Sequence, residues 1–410
     1  MKKFFALLLS LAMVLALVAC GQKDPTPDTP DTPDDPQTKV EYKVAMITDY
    51  GDITDQSFNQ TTYEACKAFA EDNSIEFSYF RPAGDNTADR VAMIEKAVDE
   101  GFNVIVMPGY AFGGAIVEAA PEFPDVKFIA LDVAAGDLLE TAVAKAGEAY
   151  DYTPENWDLN KYVDMSNVYC AVYQEELCGY MAGYAAVKLG YKNLGFLGGM
   201  SVPAVVRYGY GFVQGVDAAA ADLGLTDVKL NYIYGGQFFG DADITAVMDT
   251  WYQGGTEVVF ACGGGIYTSA VDAAKKVGAK VIGVDVDQAG VIAKYAGVDG
   301  MTVTSAMKGL YPATYDTLTD VIVNGNWDKY VGKIATLGLV SGTDPEANYV
   351  QIPMGDGTQW SDSFTQDDYK AMVKDMFDGK ITVSNNTSSD VSVADFATVI
   401  TVDDQGSIKG

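Results

Sequence analysis

From residue 43 onward the apolar and polar positions fall into two recurring rhythms. Short runs rich in β-branched residues predict strands at KVAMIT (43–48), IEFSYF (75–80), VIVMPG (104–109), KFIALD (127–132) and VYCAVY (168–173). The series continues with NLGFLGG (193–199), VKLNYIYG (228–235), EVVFACGG (257–264), KVIGVD (280–285) and MTVTSAM (301–307). Between them, stretches such as QTTYEACKAFAEDN, EELCGYMAGYAAVKLG and YTSAVDAAKKVG repeat apolar residues at spacings of three and four, which predicts helices. Strand and helix in regular alternation imply an α/β protein with parallel sheets and right-handed crossovers.

The order is doubled. One series runs from Val44 to Asp132 and a second from Val168 to Asp285, and each ends in an apolar strand that stops on an aspartate. We therefore expect two similar lobes, each a parallel sheet flanked by helices, joined by a hinge where the chain crosses. The expected division is 42–165 with about 286–335 for the first lobe, and about 166–285 with 336–400 for the second. Residues 134–163 fit neither series and read as a surface insertion. FTQDDYKAMVKDMFDGKITVS predicts a helix followed by a strand that completes one sheet.

The first 41 residues follow neither rhythm. Lys2 and Lys3 precede an apolar run from Phe4 to Val18, and small residues then lead to Cys20, so residues 1–19 read as a signal peptide rather than a membrane span. Leu17-Val18-Ala19-Cys20 has the pattern of a bacterial lipobox, which makes Cys20 the expected lipidation site and acyl chains the expected anchor. The Pro- and Asp-rich segment over 20–41 contains almost nothing apolar, cannot offset its ordering entropy, and reads as a tether. The expected location is the outer face of a bacterial cell membrane.

Composition removes several classes of function. The formal net charge is −30, or −32 without Lys2 and Lys3, and a surface that acidic repels nucleic acid. There is no histidine, which removes Ser-His and Cys-His nucleophile pairs and histidine metal sites together. Cys66, Cys170, Cys178 and Cys262 form no Cys-x-x-Cys pair and sit in apolar contexts, so buried free thiols are expected rather than a disulfide framework. The glycine runs GFLGGMS and ACGGGIY lack the spacing of dinucleotide or P-loop motifs.

Open parallel sheets bind ligands at the C-terminal ends of their strands. That rule selects Asp49 after the first strand, Asp132 and Asp285 at the ends of theirs, the glycines after NLGFL and EVVFAC, and Lys308 after the tenth. Carboxylates from both lobes with a lysine between them can hold a polyhydroxylated ligand by charge-assisted hydrogen bonds. Each carboxylate also reads as a helix N-cap, and Asp52 and Asp55, in the turn DITDQSF, read better as turn and capping residues than as ligands. Phe58, in the first turn of the helix that follows, is either a core aromatic or a stacking platform, and Phe238 and Phe239 offer a similar face from the second lobe.

MITDYGDITDQSFNQTTYEA, KFIALD, LGFLGGMSVPAVVRYGYGFVQGV, VVFACGGG, VIGVDVDQ and TSAMKG, in this order behind a lipobox, resemble the basic membrane protein (Bmp) family of lipoproteins. The resemblance implies a type I periplasmic-binding-protein fold and a substrate-binding component of an ABC importer that carries purine nucleosides, without cofactor or metal and without enzymatic activity. It further implies that Phe58 stacks on the base, Asp132 reads its edge, Asp285 and Lys308 hold ribose hydroxyls, and Asp49 and Asn59 complete the first-lobe contacts. A second aromatic closes the sandwich, with Phe239 the first choice and Tyr208 or Tyr267 the others. The expected partners are a purine nucleoside, an ABC permease and the membrane through Cys20, with the protein a monomer and no nucleic acid bound. ACGGGIYTSA and the length of 134–163 depart from the family's pattern. Two other readings stay open: a sensor that presents ligand to a signalling receptor, and a calcium-dependent nucleoside hydrolase. In ITDYGDITD, residues 47–55, Ile47, Ile53 and Thr54 occupy the hydrolases' other acidic positions.

Overall fold

The computed structural model describes residues 41–409. The expected signal peptide, the lipidated Cys20 and the tether up to residue 40 lie outside the described residues. Residues from Tyr42 onward form one compact unit. Its strands are β1 (Lys43–Ile47), β2 (Glu76–Phe80), β3 (Val104–Pro108), β4 (Lys127–Leu131), β5 (Val168–Tyr173), β6 (Asn193–Gly198), β7 (Lys229–Tyr234), β8 (Val258–Cys262), β9 (Lys280–Asp285), β10 (Thr302–Lys308), β11 (Lys333–Leu337), β12 (Val350–Gln351) and β13 (Thr401–Ser407).

They build two sheets. The first has the order β11-β5-β4-β3-β1-β2 and the second β12-β10-β9-β8-β6-β7-β13, with every pairing parallel except β12 on β10. Both faces of the central strands are buried under helices, which is why those strands are apolar throughout. In β1, Ala45 and Ile47 enter one core layer while Val44 and Met46 enter the other. In β8, Val258 and Phe260 face one layer, and Val259 and Ala261 the opposite one.

The lobe boundaries differ from the expectation in two places. β5 pairs with β4 in the first sheet, in register Ile129↔Tyr169, so the first lobe extends beyond residue 165. β10 pairs with β9 in the second sheet, so that lobe does not end at residue 285. The sequence signal for these strands is an apolar run, and the partner such a run chooses is set by packing and not by the run itself. The chain thus passes between sheets from β5 to β6, from β10 to β11 and from β11 to β12.

Residues 134–163 are a surface segment only in their second half, where 144–162 contain no buried residue. The helix Ala135–Lys145 buries Leu138, Leu139, Ala142 and Val143, and the segment is the crossover from β4 to β5. FTQDDYKAMVKDMF forms the helix Gln366–Phe377, but ITVS, 381–384, forms no strand. The sheet is extended instead by the polar β13, parallel to β7. Cys66, Cys170, Cys178 and Cys262 are buried free thiols. Among the described residues no helix is long and apolar enough to cross a membrane.

One helix pair positions the site. Helices Glu175–Lys188 and Pro203–Asp222 cross at backbone contact, because a Cβ on Gly211 would lie 2.1 Å from the Glu176 carbonyl oxygen and one on Gly179 2.3 Å from that of Tyr208. Only glycine fits there, and the approach brings Glu175, at the start of one helix, against Arg207 in the first turns of the other.

Candidate functional site: an inter-lobe cleft

The strand-end residues of both sheets converge on one cavity of about 520 Å³, a volume usual for a small-molecule site. All seven residues expected to contact ligand line it: Asp49, Phe58, Asn59, Asp132, Phe239, Asp285 and Lys308. Asp52 and Asp55 line it too, in the roles their turn suggested. Asp52 accepts from Thr54 N, while the Asp55 carboxylate takes the N–H groups of Ser57, Asn59 and Gln60 and so caps the helix Phe58–Asn73. Asp49 is no cap. Its Oδ1 accepts from Tyr50 N and Gly51 N at 2.6 Å each and from Asn59 Nδ2 at 3.1 Å, which ties the loop after β1 to the helix.

Asp132 and Asp285 hold matching positions at the ends of β4 and β9, and both have left-handed backbones, with φ of 58° and 65°. Such a conformation is costly for a residue with a Cβ and persists where the surrounding structure holds it. Here Asp132 N donates to Ala171 O at 2.7 Å, and the Asp285 carboxylate accepts from Ser57 Oγ across the cleft and from Tyr208 OH at 3.3 Å.

Between the two aspartates stands Lys308, the last residue of β10. Its Nζ donates to Asp132 Oδ2 at 2.5 Å and to Glu175 Oε1 at 3.3 Å, lies 3.8 Å from Asp285 Oδ1, and sits 4.7 Å from the centre of the Phe58 ring. Arg207 Nε donates to the other oxygen of Glu175 at 2.7 Å. Burial alone would lower the Lys308 pKa, but Asp132, Glu175 and Asp285 together raise it, so the ammonium stays charged. Burial also raises the pKa of Glu175, and the Arg207 and Lys308 cations override it and hold this carboxylate below its ordinary range. For Asp132 burial wins over Lys308 and pushes the carboxyl up to about 7. Asp137, in the first turn of the helix Ala135–Lys145, is likewise pushed by burial to about 7.

The aromatic residues divide. Phe58 is half-buried, with its ring beside the Lys308 ammonium. Phe238 lies over Gly199 and Gly263, where a Cβ would come within 2.3 and 2.7 Å of its Cδ1, so these cleft glycines make room for a ring rather than for a phosphate. Phe239 stands at the rim with 56% of its surface exposed. Tyr208 is buried behind Asp285, and Tyr267 is buried against Tyr295 and does not line the cavity. At the mouth, the hydroxyls of Tyr50 and Tyr110 both reach Met200 Sδ at 3.8 Å from the opposite lobe.

Sequence reasoning missed Glu175, Arg207 and Ser57. Glu175 follows β5 by two residues, so the strand-end rule could have found it. Arg207 and Ser57 carry no such signal.

Two parallel α/β sheets, three connecting passages and a ligand-sized cleft of converging strand ends define a two-lobed substrate-binding protein of the type I periplasmic-binding-protein fold. A solved structure of ABC transporter solute-binding proteins from Aeropyrum pernix K1 shares this fold, with a TM-score of 0.63 and 18% identity over 85% of this chain and 95% of that one. The chain belongs to the Bmp family, ABC transporter substrate-binding protein PnrA-like, whose model matches residues 42–345. Among its relatives are the ABC transporter nucleoside-binding protein BmpA of Lactococcus lactis, 25% identical over 92% of this chain and 96% of that one, and Basic membrane protein B of Borreliella burgdorferi, 26% identical over 76% and 83%.

Proposed function

We propose that this protein is a cell-surface lipoprotein that binds a purine nucleoside in the cleft and delivers it to an ABC permease, and that it is not an enzyme. One observation carries the reading: a buried lysine shared by carboxylates from both lobes, with the face of Phe58 beside it. Asp285 and Lys308 are suited to the hydroxyls of a sugar, Phe58 to the face of a base and Asp132 to its edge. Asp49 and Asn59 complete the first-lobe contacts, and Phe239, more than half exposed, is the second-lobe ring that gains burial when a ligand arrives. The nucleoside-binding name of the lactococcal relative supports the same ligand class.

The acidic turn favours binding over hydrolysis. Asp49 and Asp55 accept from N–H groups of their own loop and helix and meet only on the Asn59 amide, while Asp52 turns away to Thr54 and Arg81. Among the described residues no group of three or more acidic or cysteine side chains converges as a metal site would require. Cys20 supplies the proposed anchor, the permease is the proposed partner, and the protein acts as a monomer.

Thermal unfolding tests this, on protein refolded to strip carried-over ligand, with adenosine, guanosine, inosine, cytidine, uridine or ribose, each with and without EDTA. A ligand at about a hundred times its Kd adds about 2.7 kcal/mol, a shift of a few degrees. Stabilisation by purine nucleosides that is indifferent to EDTA is expected. No shift with any nucleoside removes the ligand assignment, and release of free base that EDTA abolishes returns the hydrolase.

A further inference from the structure

Three polar groups in the cavity have capacity that the protein itself leaves unused. Arg207 Nε is held by Glu175, whose carboxylate is fully buried and gives its other oxygen to Lys308. The guanidinium is thereby fixed in orientation, and its terminal N–H groups, which make no hydrogen bond among the described residues, are left on the cavity wall. From the opposite lobe, Asp132 engages Lys308 with Oδ2, while Oδ1 is buried without a partner. Asn59 is in the same state: its Nδ2 is bound by the carboxylates of Asp49 and Asp55, which fixes the amide, so the bare buried atom is the acceptor Oδ1. Buried acceptors left without donors are unfavourable, and in a binding cleft the ligand is the natural source of the missing donors. Arg207 and Asp132 both line the cavity and are tied to each other through Lys308 and Glu175, since Lys308 Nζ donates to Asp132 and Glu175 and Glu175 accepts from Arg207.

We propose that Arg207 and Asp132 together select 6-oxopurine nucleosides, with Arg207 donating to the ring carbonyl and Asp132 accepting from the adjoining ring N–H. The inference rests on the purine-nucleoside reading of the cleft. A carbonyl oxygen offers two lone pairs to the forked guanidinium, whereas the corresponding edge of a 6-aminopurine offers one ring-nitrogen lone pair. The two bare acceptors further ask for donors at separate points, which the ring N–H and the 2-amino group of guanine supply and the single amino group of adenine does not. The resulting order is guanosine, then inosine, then adenosine.

Isothermal titration of the wild type, Arg207→Met and Arg207→Lys with these three nucleosides tests the proposal. The wild type is expected to bind guanosine and inosine about tenfold or more tightly than adenosine, as a site built around specific hydrogen bonds does. Both variants are expected to bring the inosine-to-adenosine ratio close to one. The ratio is the diagnostic, because a purely structural role for Arg207 weakens all ligands alike and leaves the ratio unchanged, which overturns the proposal. Adenosine bound as tightly as inosine by the wild type overturns it while the nucleoside reading stands. No binding of any of the three overturns both. Arg207→Lys keeps a cation beside Glu175, so the comparison survives if Arg207→Met does not fold.

Discussion

Lys308, at the end of β10 in the second sheet, holds Asp132, after β4 in the first, at 2.5 Å, so an ion pair with both side chains almost wholly buried joins the lobes inside the cleft. Desolvating two charges offsets most of their attraction, but removing one partner leaves the other charge stranded. Lys308→Met would leave Asp132, Glu175 and Asp285 with only Arg207 nearby, and we expect it to destabilise the ligand-free protein by about 3–5 kcal/mol. Asp132→Asn should cost less, because Lys308 keeps Glu175 at 3.3 Å and Asp285 at 3.8 Å. Urea unfolding of the two variants beside the wild type checks the order. A Lys308→Met midpoint equal to the wild type's would show that the carboxylates do not need the cation.

The two cleft aromatics separate binding from folding. Phe58 is half-buried at a helix start, so Phe58→Ala should lower stability little and nucleoside affinity by about 1–3 kcal/mol, the range for a stacked base. Gly199→Ala acts indirectly. Its Cβ would fall 2.3 Å from Phe238 Cδ1 and displace that ring, so both affinity and melting temperature should drop. Titration calorimetry and thermal melts on the same preparations read both effects. Unchanged affinity in Phe58→Ala would remove Phe58 from the site.

Glu176 gives a pH dependence of definite sign. The residue is buried with Oε2 unpartnered, and burial pushes its carboxyl up to about 7. A folded-state pKa above the unfolded value means that the folded protein prefers the protonated form. The contribution is fully present below about pH 4 and lost as pH rises to about 7, with a size on the order of 3 kcal/mol. Glu176→Gln should therefore melt higher than wild type at pH 8, with the gap closing toward pH 5. Parallel melting curves for the two proteins across that range would show that Glu176 ionises normally. Asp132 and Asp137 are shifted in the same direction, so part of the wild-type slope will remain in the variant.

The chain's own pattern determined the α/β class, the doubled strand series and which strand-end carboxylates line the cleft. Strands such as β3 and β8 are buried on both faces and read as uninterrupted apolar runs, and Asp49, Asp132 and Asp285 stand where such strands stop. The edge strands β11 and β13 escaped notice because neither contains a buried residue and TVDDQGS has almost no apolar content. Which sheet β5 and β10 join, the helical crossover over 134–163, and the meeting of Glu175 with Arg207 were decided only in three dimensions. Local sequence records how much of a segment is buried. The identity of its neighbour depends on contacts between residues far apart in the chain, such as the glycine-to-backbone crossing of Gly211 on Glu176, whose geometry no single segment contains.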